Sequence, residues 1–191
     1  MPVRKSDSLG QRLLQLDEKL FFSCYHFYAA APGADPWGKL ARWVSRSGDG
    51  YGYLIFCLIA YAWGHDQALN LLVLLTLGFI LELPVYWLLK NRLRRTRPYH
   101  QYRQCQSRII ASDQFSFPSG HTTAAFMFAL LTATVMPALT PLVFCWAGAV
   151  GWSRLVLGVH YPADILAGAL LGSLLALFTV LWVGYNAAGL L

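Results

Sequence analysis

The sequence predicts an all-α integral membrane protein, a single bundle of about six transmembrane helices. Of its 191 residues, 57% are hydrophobic and only 13% are charged, whereas soluble domains carry about 25% charged residues. The mean hydropathy is +0.45. This composition argues against a soluble enzyme, a disordered protein and, despite the net charge of +6, a nucleic-acid-binding protein.

The N-terminal residues predict an amphipathic helix that enters the membrane. Leucines recur at helical spacing over residues 9–20, and residues 21–31 are nearly all apolar. A cleaved signal peptide is the alternative, because Arg4 and Lys5 precede the apolar run. The acidic pair at 17–18, directly before that run, disfavours the signal peptide.

The rest of the chain predicts an interfacial helix followed by five membrane spans. Residues 37–46 place apolar and basic side chains on opposite helical faces, which indicates a helix lying in the membrane interface. Pro137 and Pro141 divide the longest uncharged run into a hairpin, because proline ends or kinks a helix. The chain is read as one domain, with N-terminal helices over 1–50 and a catalytic core over 51–185. The predicted spans are 51–64, 68–89, 120–136, 141–156 and 165–185.

Three polar clusters lie at the ends of these spans. Because consecutive spans cross the bilayer in opposite directions, the exit of one and the entry of the next lie on the same face. The clusters are therefore expected to converge on one pocket at the membrane surface, although they are far apart in the sequence. They are Lys90, Arg97 and Pro98; Pro118, Ser119, Gly120 and His121; and Ser153, Arg154, His160 and Asp164.

The residue types in these clusters predict a phosphate site. Lys90, Arg97 and Arg154 supply three cations, and the guanidinium forks match phosphate oxygens. Ser119 and Gly120 stand where a helix begins, and the N–H groups and dipole of a helix start favour an anion.

Two histidines remain for bond making. Asp164, four residues after His160, can hold one nitrogen of that imidazole and leave the other free to attack phosphorus. His121 can protonate the departing oxygen. The sequence offers no cluster of carboxylates for Mg²⁺, so no metal is expected, and a metal-independent mechanism is favoured.

Together the clusters resemble the type 2 phosphatidic acid phosphatase family, whose soluble cousins are the vanadium haloperoxidases. The patterns K-x6-RP, PSGH and SR-x5-H-x3-D occur in order and without departure. The resemblance covers about residues 51–185 and implies a six-helix fold, a phosphohistidine on His160 oriented by Asp164, and leaving-group protonation by His121. It also implies no cofactor, and phosphate binding by Lys90, Arg97, Ser119, Gly120 and Arg154.

The expected function is a lipid phosphatase that removes the terminal phosphate of a phosphorylated lipid held in the bilayer. Undecaprenyl diphosphate is the first candidate substrate, and phosphatidylglycerophosphate or phosphatidate is the alternative. A small anion transporter using Glu82 is a remote alternative, because the polar groups gather at one surface and no repeat is present.

Two signals disagree about sidedness. All but four of the 15 Lys and Arg residues would share the face of the pocket, which the positive-inside tendency places in the cytoplasm. Bacterial members of the family act on the outer side of the cytoplasmic membrane. The resemblance is followed here, because at least three of these cations have a phosphate to bind.

Other polar residues receive weaker assignments. Arg92, Arg94 and Arg95 are expected at solvent or lipid headgroups. Glu82 is expected to be a buried structural residue with a polar neighbour. Asp113 lies in the polar loop expected to cover the pocket, and no role is assigned to it.

Overall fold

The computed structural model describes residues 8–29, 36–111 and 113–188. The predicted all-α fold is confirmed, because every regular element in these ranges is helical. Arg4, Lys5 and the end of the predicted apolar run at 30–31 lie outside them. The helices are α1 (Leu9–Ala29), α2 (Pro36–Ser47), α3 (Gly50–Ala62), α4 (Ala68–Leu93), α5 (Pro98–Gln101), α6 (Gly120–Val135), α7 (Thr140–Val156) and α8 (Pro162–Ala188).

All five predicted spans coincide with apolar helices. Three helical segments in the described ranges are long and apolar enough to cross a membrane: Ala68–Gln101, Pro137–Val156 and Pro162–Gly184. Helices α3 and α6 are apolar but shorter. Pro137 starts a short 3-10 turn between α6 and α7, as the predicted hairpin requires. Pro84, in contrast, lies inside α4 without ending it.

The two N-terminal helices lie at the side of the bundle. Helix α1 exposes most of its leucines, while Asp17, Phe21 and Tyr25 are buried against the rest of the protein. Helix α2 is amphipathic, as predicted, and turns Ala41 and Ser45 inward against α7. Both helices therefore pack on the core instead of standing apart from it.

Helix α6 forms the centre of the bundle. It contacts α4, α7 and α8, and most of its side chains are buried. At the interface with α8, a Cβ atom on Gly172 would lie 2.1 Å from the carbonyl oxygen of Thr123, and one on Gly168 would lie 2.7 Å from that of Ser119. Small residues allow two membrane helices to approach this closely. The approach brings the start of α6 against the start of α8.

Gly172→Ala should lower the stability of the protein by about 1–3 kcal/mol, since its methyl group would overlap the α6 backbone. Gly184→Ala on the same helix is the matched control, because a Cβ atom there meets no atom within 4 Å. The control should be neutral or slightly stabilising, because alanine favours a helix more than glycine does. Thermal unfolding in detergent measures both. Equal unfolding temperatures for the two variants would contradict the close packing.

Candidate active site

Four helix ends meet at one end of the bundle and carry the predicted site residues. Lys90 is in the last turn of α4, His121 in the first turn of α6, Arg154 in the last turn of α7, and Asp164 in the first turn of α8. His160 lies in the short connection between α7 and α8. His160 and Asp164 are in contact, whereas Lys90, His121 and Arg154 each contact a residue outside the predicted set.

Lys90 and Arg97 share one carboxylate, that of Asp113. Lys90 Nζ lies 2.8 Å from Asp113 Oδ2, and Arg97 Nη2 donates a hydrogen bond to Oδ1. The hydroxyl of Tyr86 also donates to Oδ2, at 2.7 Å. Burial alone would raise the pKa of Asp113, but its cationic and phenolic partners lower that pKa to about 2. Asp113, to which the sequence assigned no role, thus places a negative charge between two of the residues predicted to bind phosphate.

Arg97 also determines the state of the His160 imidazole. The Arg97 guanidinium is buried, and its Nη1 donates to the carbonyl of Val159 at 2.8 Å and lies 3.3 Å from His160 Nε2. Because a guanidinium has only donors, Nε2 must present its lone pair, and the ring proton belongs on Nδ1. Burial first, and then the neighbouring cations, lower the pKa of His160 well below its usual value. The imidazole is therefore neutral near pH 7, with Nε2 as its basic nitrogen.

The carboxylate of Asp164 faces the other side of this ring. His160 Nδ1 lies 3.5 Å from Asp164 Oδ2, a long contact, and Nδ1 has no hydrogen-bond partner among the described residues. Oδ2 accepts a hydrogen bond from the backbone N–H of Tyr161 at 2.8 Å. The carboxylate is thus held in place, and a small rotation of the ring would bring its N–H into hydrogen-bond range.

Asp164 is fixed by an ion pair with Arg95, whose predicted place at solvent or lipid headgroups was wrong. Arg95 is only partly exposed and pairs within the protein: its Nη1 lies 2.9 Å from Asp164 Oδ1 and its Nη2 lies 2.5 Å from Asp17 Oδ2. The guanidinium also stacks 4.0 Å above the Tyr161 ring. Asp17 in turn accepts the N–H of Ala163 at 2.8 Å, in the first turn of α8. Arg92 and Arg94, in contrast, are exposed.

Arg154 and His121 contact side chains of the first 50 residues. Arg154 is buried, its Nη1 donates to the Ser45 hydroxyl, and its Nε has no partner among the described residues. His121 Nε2 lies 3.0 Å from Asp49 Oδ1. Both line a cavity of about 440 Å³. Ser45 and Asp49 were missed because no motif covers the first 50 residues, and their roles depend entirely on how α2 packs.

The start of α6 is buried and tightly packed. The N–H of Ser119 donates to the carbonyl of Asp164 at 3.0 Å, and its hydroxyl lies 2.9 Å from that of Thr122. A Cβ on Gly120 would lie 2.9 Å from the Tyr86 ring, so only glycine fits there without movement. Since the Ser119 N–H is already engaged, the first-turn N–H groups of Gly120 and His121 remain for an anion.

Two further predictions concern Glu82 and metals. Glu82 is buried, as predicted, in the wall of a second cavity of about 230 Å³ that it shares with His121. Its expected polar neighbour stays a prediction. The described residues contain no group of three or more His, Cys, Asp or Glu side chains that could hold a metal ion.

Comparison with known proteins gives a consistent result. The family model described as PAP2 superfamily matches residues 67–188. The chain is 28% identical over 168 residues to the putative undecaprenyl-diphosphatase YbjG of Escherichia coli K12, a match that covers 81% of this chain and 78% of the relative. Two crystal structures share the fold at lower identity. LpxE from Aquifex aeolicus has a TM-score of 0.69 at 20% identity, covering 94% of this chain and 99% of that one. A PAP2-type phosphatidylglycerolphosphate phosphatase from Bacillus subtilis has a TM-score of 0.65 at 22% identity, covering 93% and 87%.

Asp113→Asn should tighten vanadate binding about tenfold, because it removes a negative charge that lies against two cations. Isothermal titration of the purified protein with vanadate measures the change. Asp66→Asn, which removes an exposed carboxylate elsewhere in the chain, is the control. Unchanged or weaker binding by Asp113→Asn would mean that the carboxylate serves mainly to hold Lys90 and Arg97 in position.

Proposed function

The chain belongs to the PAP2 superfamily of membrane phosphatases, and from this premise we propose that it hydrolyses the terminal phosphate of a lipid through a phosphohistidine on His160. The observation that carries the proposal is the contact between Arg97 Nη1 and His160 Nε2 at 3.3 Å. It orients the basic nitrogen of the imidazole toward the cationic groups that would bind the phosphate. The nucleophilic nitrogen and the phosphorus that it would attack are thereby held in a fixed relative orientation.

In the first step, Lys90, Arg97 and Arg154 bind the non-bridging oxygens of the phosphate. His160 Nε2 attacks phosphorus, the bond to the leaving oxygen breaks, and a phosphohistidine forms. The three cations stabilise the charge that spreads over the equatorial oxygens in the transition state. Asp164 stabilises the positive charge that develops on the imidazole.

His121 acts on the opposite side of the phosphate. It donates a proton to the leaving oxygen in the first step and takes one from the attacking water in the second. Water breaks the bond between phosphorus and nitrogen, releases inorganic phosphate and restores the neutral His160. Asp49 holds the His121 ring through its contact at 3.0 Å.

We propose undecaprenyl diphosphate as the substrate. The support is the name of the Escherichia coli relative, which aligns over most of both chains. Phosphatidylglycerophosphate is the second candidate, and the named activity of the Bacillus subtilis structure favours it. At 22% identity that likeness concerns the fold, so it weighs less. Phosphatidate is the third candidate.

We place the protein in the cytoplasmic membrane with the site on the extracytoplasmic face. The buried arginines of the pocket have anionic partners within the protein or a proposed role in phosphate binding. Cations held in a phosphate site weaken the positive-inside tendency as a guide to orientation, so the resemblance to bacterial family members that act on the outer side is followed. An outward site would meet substrates in the outer leaflet.

Wild-type enzyme in detergent with EDTA should release phosphate from undecaprenyl diphosphate faster than from phosphatidylglycerophosphate or phosphatidate at equal surface concentration. His160→Ala should abolish release from all three, because the phosphoryl acceptor is gone. His65→Ala, an exposed histidine in the connection between α3 and α4, is the matched control and should retain activity. Full activity of His160→Ala would remove this residue from the mechanism, and a faster reaction with phosphatidate would overturn the substrate assignment alone.

His121→Ala should lower kcat/KM for phosphatidate at least about 100-fold, because an alkoxide leaves poorly without a proton. The loss with undecaprenyl diphosphate should be smaller, since its leaving group is a phosphate and needs the proton less. This constant reports the steps up to the phosphohistidine, so a later role in water activation does not obscure the difference. Vanadate should still bind, and an equal loss for both substrates together with lost vanadate binding would indicate a structural role.

A further inference from the structure

The cavity of about 440 Å³ beside His121 contains more positive charge than a single phosphate needs. Arg42 and Arg46 of α2 and Arg108 of the loop between α5 and α6 line it, together with His121 and Arg154. In the proposed mechanism, the transferred phosphate is already bound by Lys90, Arg97 and Arg154. Three further guanidinium groups therefore line the same cavity as His121.

Helix α2 positions two of these arginines relative to the site. Arg42 and Arg46 are one helical turn apart, so they project from the same face. The same helix buries Ser45, whose hydroxyl accepts a hydrogen bond from Arg154. A cation proposed to bind the transferred phosphate is thus tied to the helix that presents Arg42 and Arg46.

The charge balance of the cavity favours an anionic ligand. Among the described residues in its wall, Asp49 is the acidic one, and its carboxylate is engaged with His121 at 3.0 Å. The Nε atom of Arg154 is buried and has no hydrogen-bond partner in the described part of the chain. Forked guanidinium donors match the oxygens of a phosphate.

The order of bond making assigns this position to the leaving group. His160 attacks from one side of the phosphorus, and the leaving oxygen departs on the side of His121. In a lipid diphosphate that oxygen belongs to a second phosphate, whereas in a phosphatidate it belongs to an uncharged glycerol. We infer that the cavity is a subsite for the phosphate retained by the lipid, through which the enzyme selects lipid diphosphates over lipid monophosphates; this inference rests on the function proposed above.

The inference is tested with two substrates that share one tail, undecaprenyl diphosphate and undecaprenyl phosphate. The double variant Arg42→Ala/Arg46→Ala should lower kcat/KM for the diphosphate about 30-fold, in line with the loss of charged hydrogen bonds. The value for the monophosphate should change less than about threefold. Lys39→Ala is the matched control, because Lys39 is an exposed cation of the same helix that does not line the cavity.

Inorganic anions provide a second measurement without a lipid tail. Wild-type enzyme should be inhibited more strongly by pyrophosphate than by phosphate, because pyrophosphate fills both positions. The double variant should reduce this preference toward equality. Arg108→Gln, on a different element, should give the same selective loss, so that the test stands even where the double variant does not fold.

Each result has a defined meaning. A selective loss with the diphosphate, in the double variant or in Arg108→Gln, supports the subsite. An equal loss with both substrates, as expected if the arginines only attract anionic bilayer lipids, or no loss at all, would overturn it. These outcomes leave wild-type turnover and its dependence on His160 intact, whereas turnover by His160→Ala would contradict the proposed function itself.

Discussion

The burial of cationic side chains at one end of an apolar bundle is the constraint on which the site depends. Lys90, Arg97 and Arg154 are almost inaccessible to solvent, and a buried charge costs free energy unless a partner compensates for it. Asp113 compensates the first two, while Arg154 has a serine hydroxyl at one nitrogen and no partner at another. A phosphate would supply the missing negative charge, so the packing of the bundle itself favours binding of an anion here.

A chain of ion pairs connects this site to the N-terminal helix. Asp17 of α1 binds Arg95, Arg95 binds Asp164, and Asp164 faces the His160 ring. Because Asp17 also accepts an N–H from the first turn of α8, α1 stabilises both the carboxylate and the helix that carries it. Outer partners of this kind fix the orientation of a reactive group, as they do for the ligands of metal sites.

The sequence was informative where function depends on local spacing and uninformative where it depends on packing between distant helices. The spans and the three motifs are local patterns, and the apolar helices lie where these patterns placed them. Arg95 was misassigned because a run of arginines after a span is typical of headgroup contacts. Helix α4 ends at Arg94 in a left-handed conformation, with φ of 46°, and Arg95 beyond it lies against Asp164 and Asp17. Asp17, Ser45 and Asp49 belong to no motif, so only tertiary structure reveals their contacts.

The same cations have two effects on the proposed nucleophile. Their charge adds to the effect of burial in lowering the pKa of His160, and the N–H group of Arg97 orients the lone pair of Nε2. When a phosphate dianion binds, it neutralises these cations and makes the lone pair more basic at the moment when it faces phosphorus. In the proposed mechanism, the groups that bind the phosphate would therefore also prepare the nucleophile, which would suit a site without neutralising carboxylates on every cation to phosphoryl transfer.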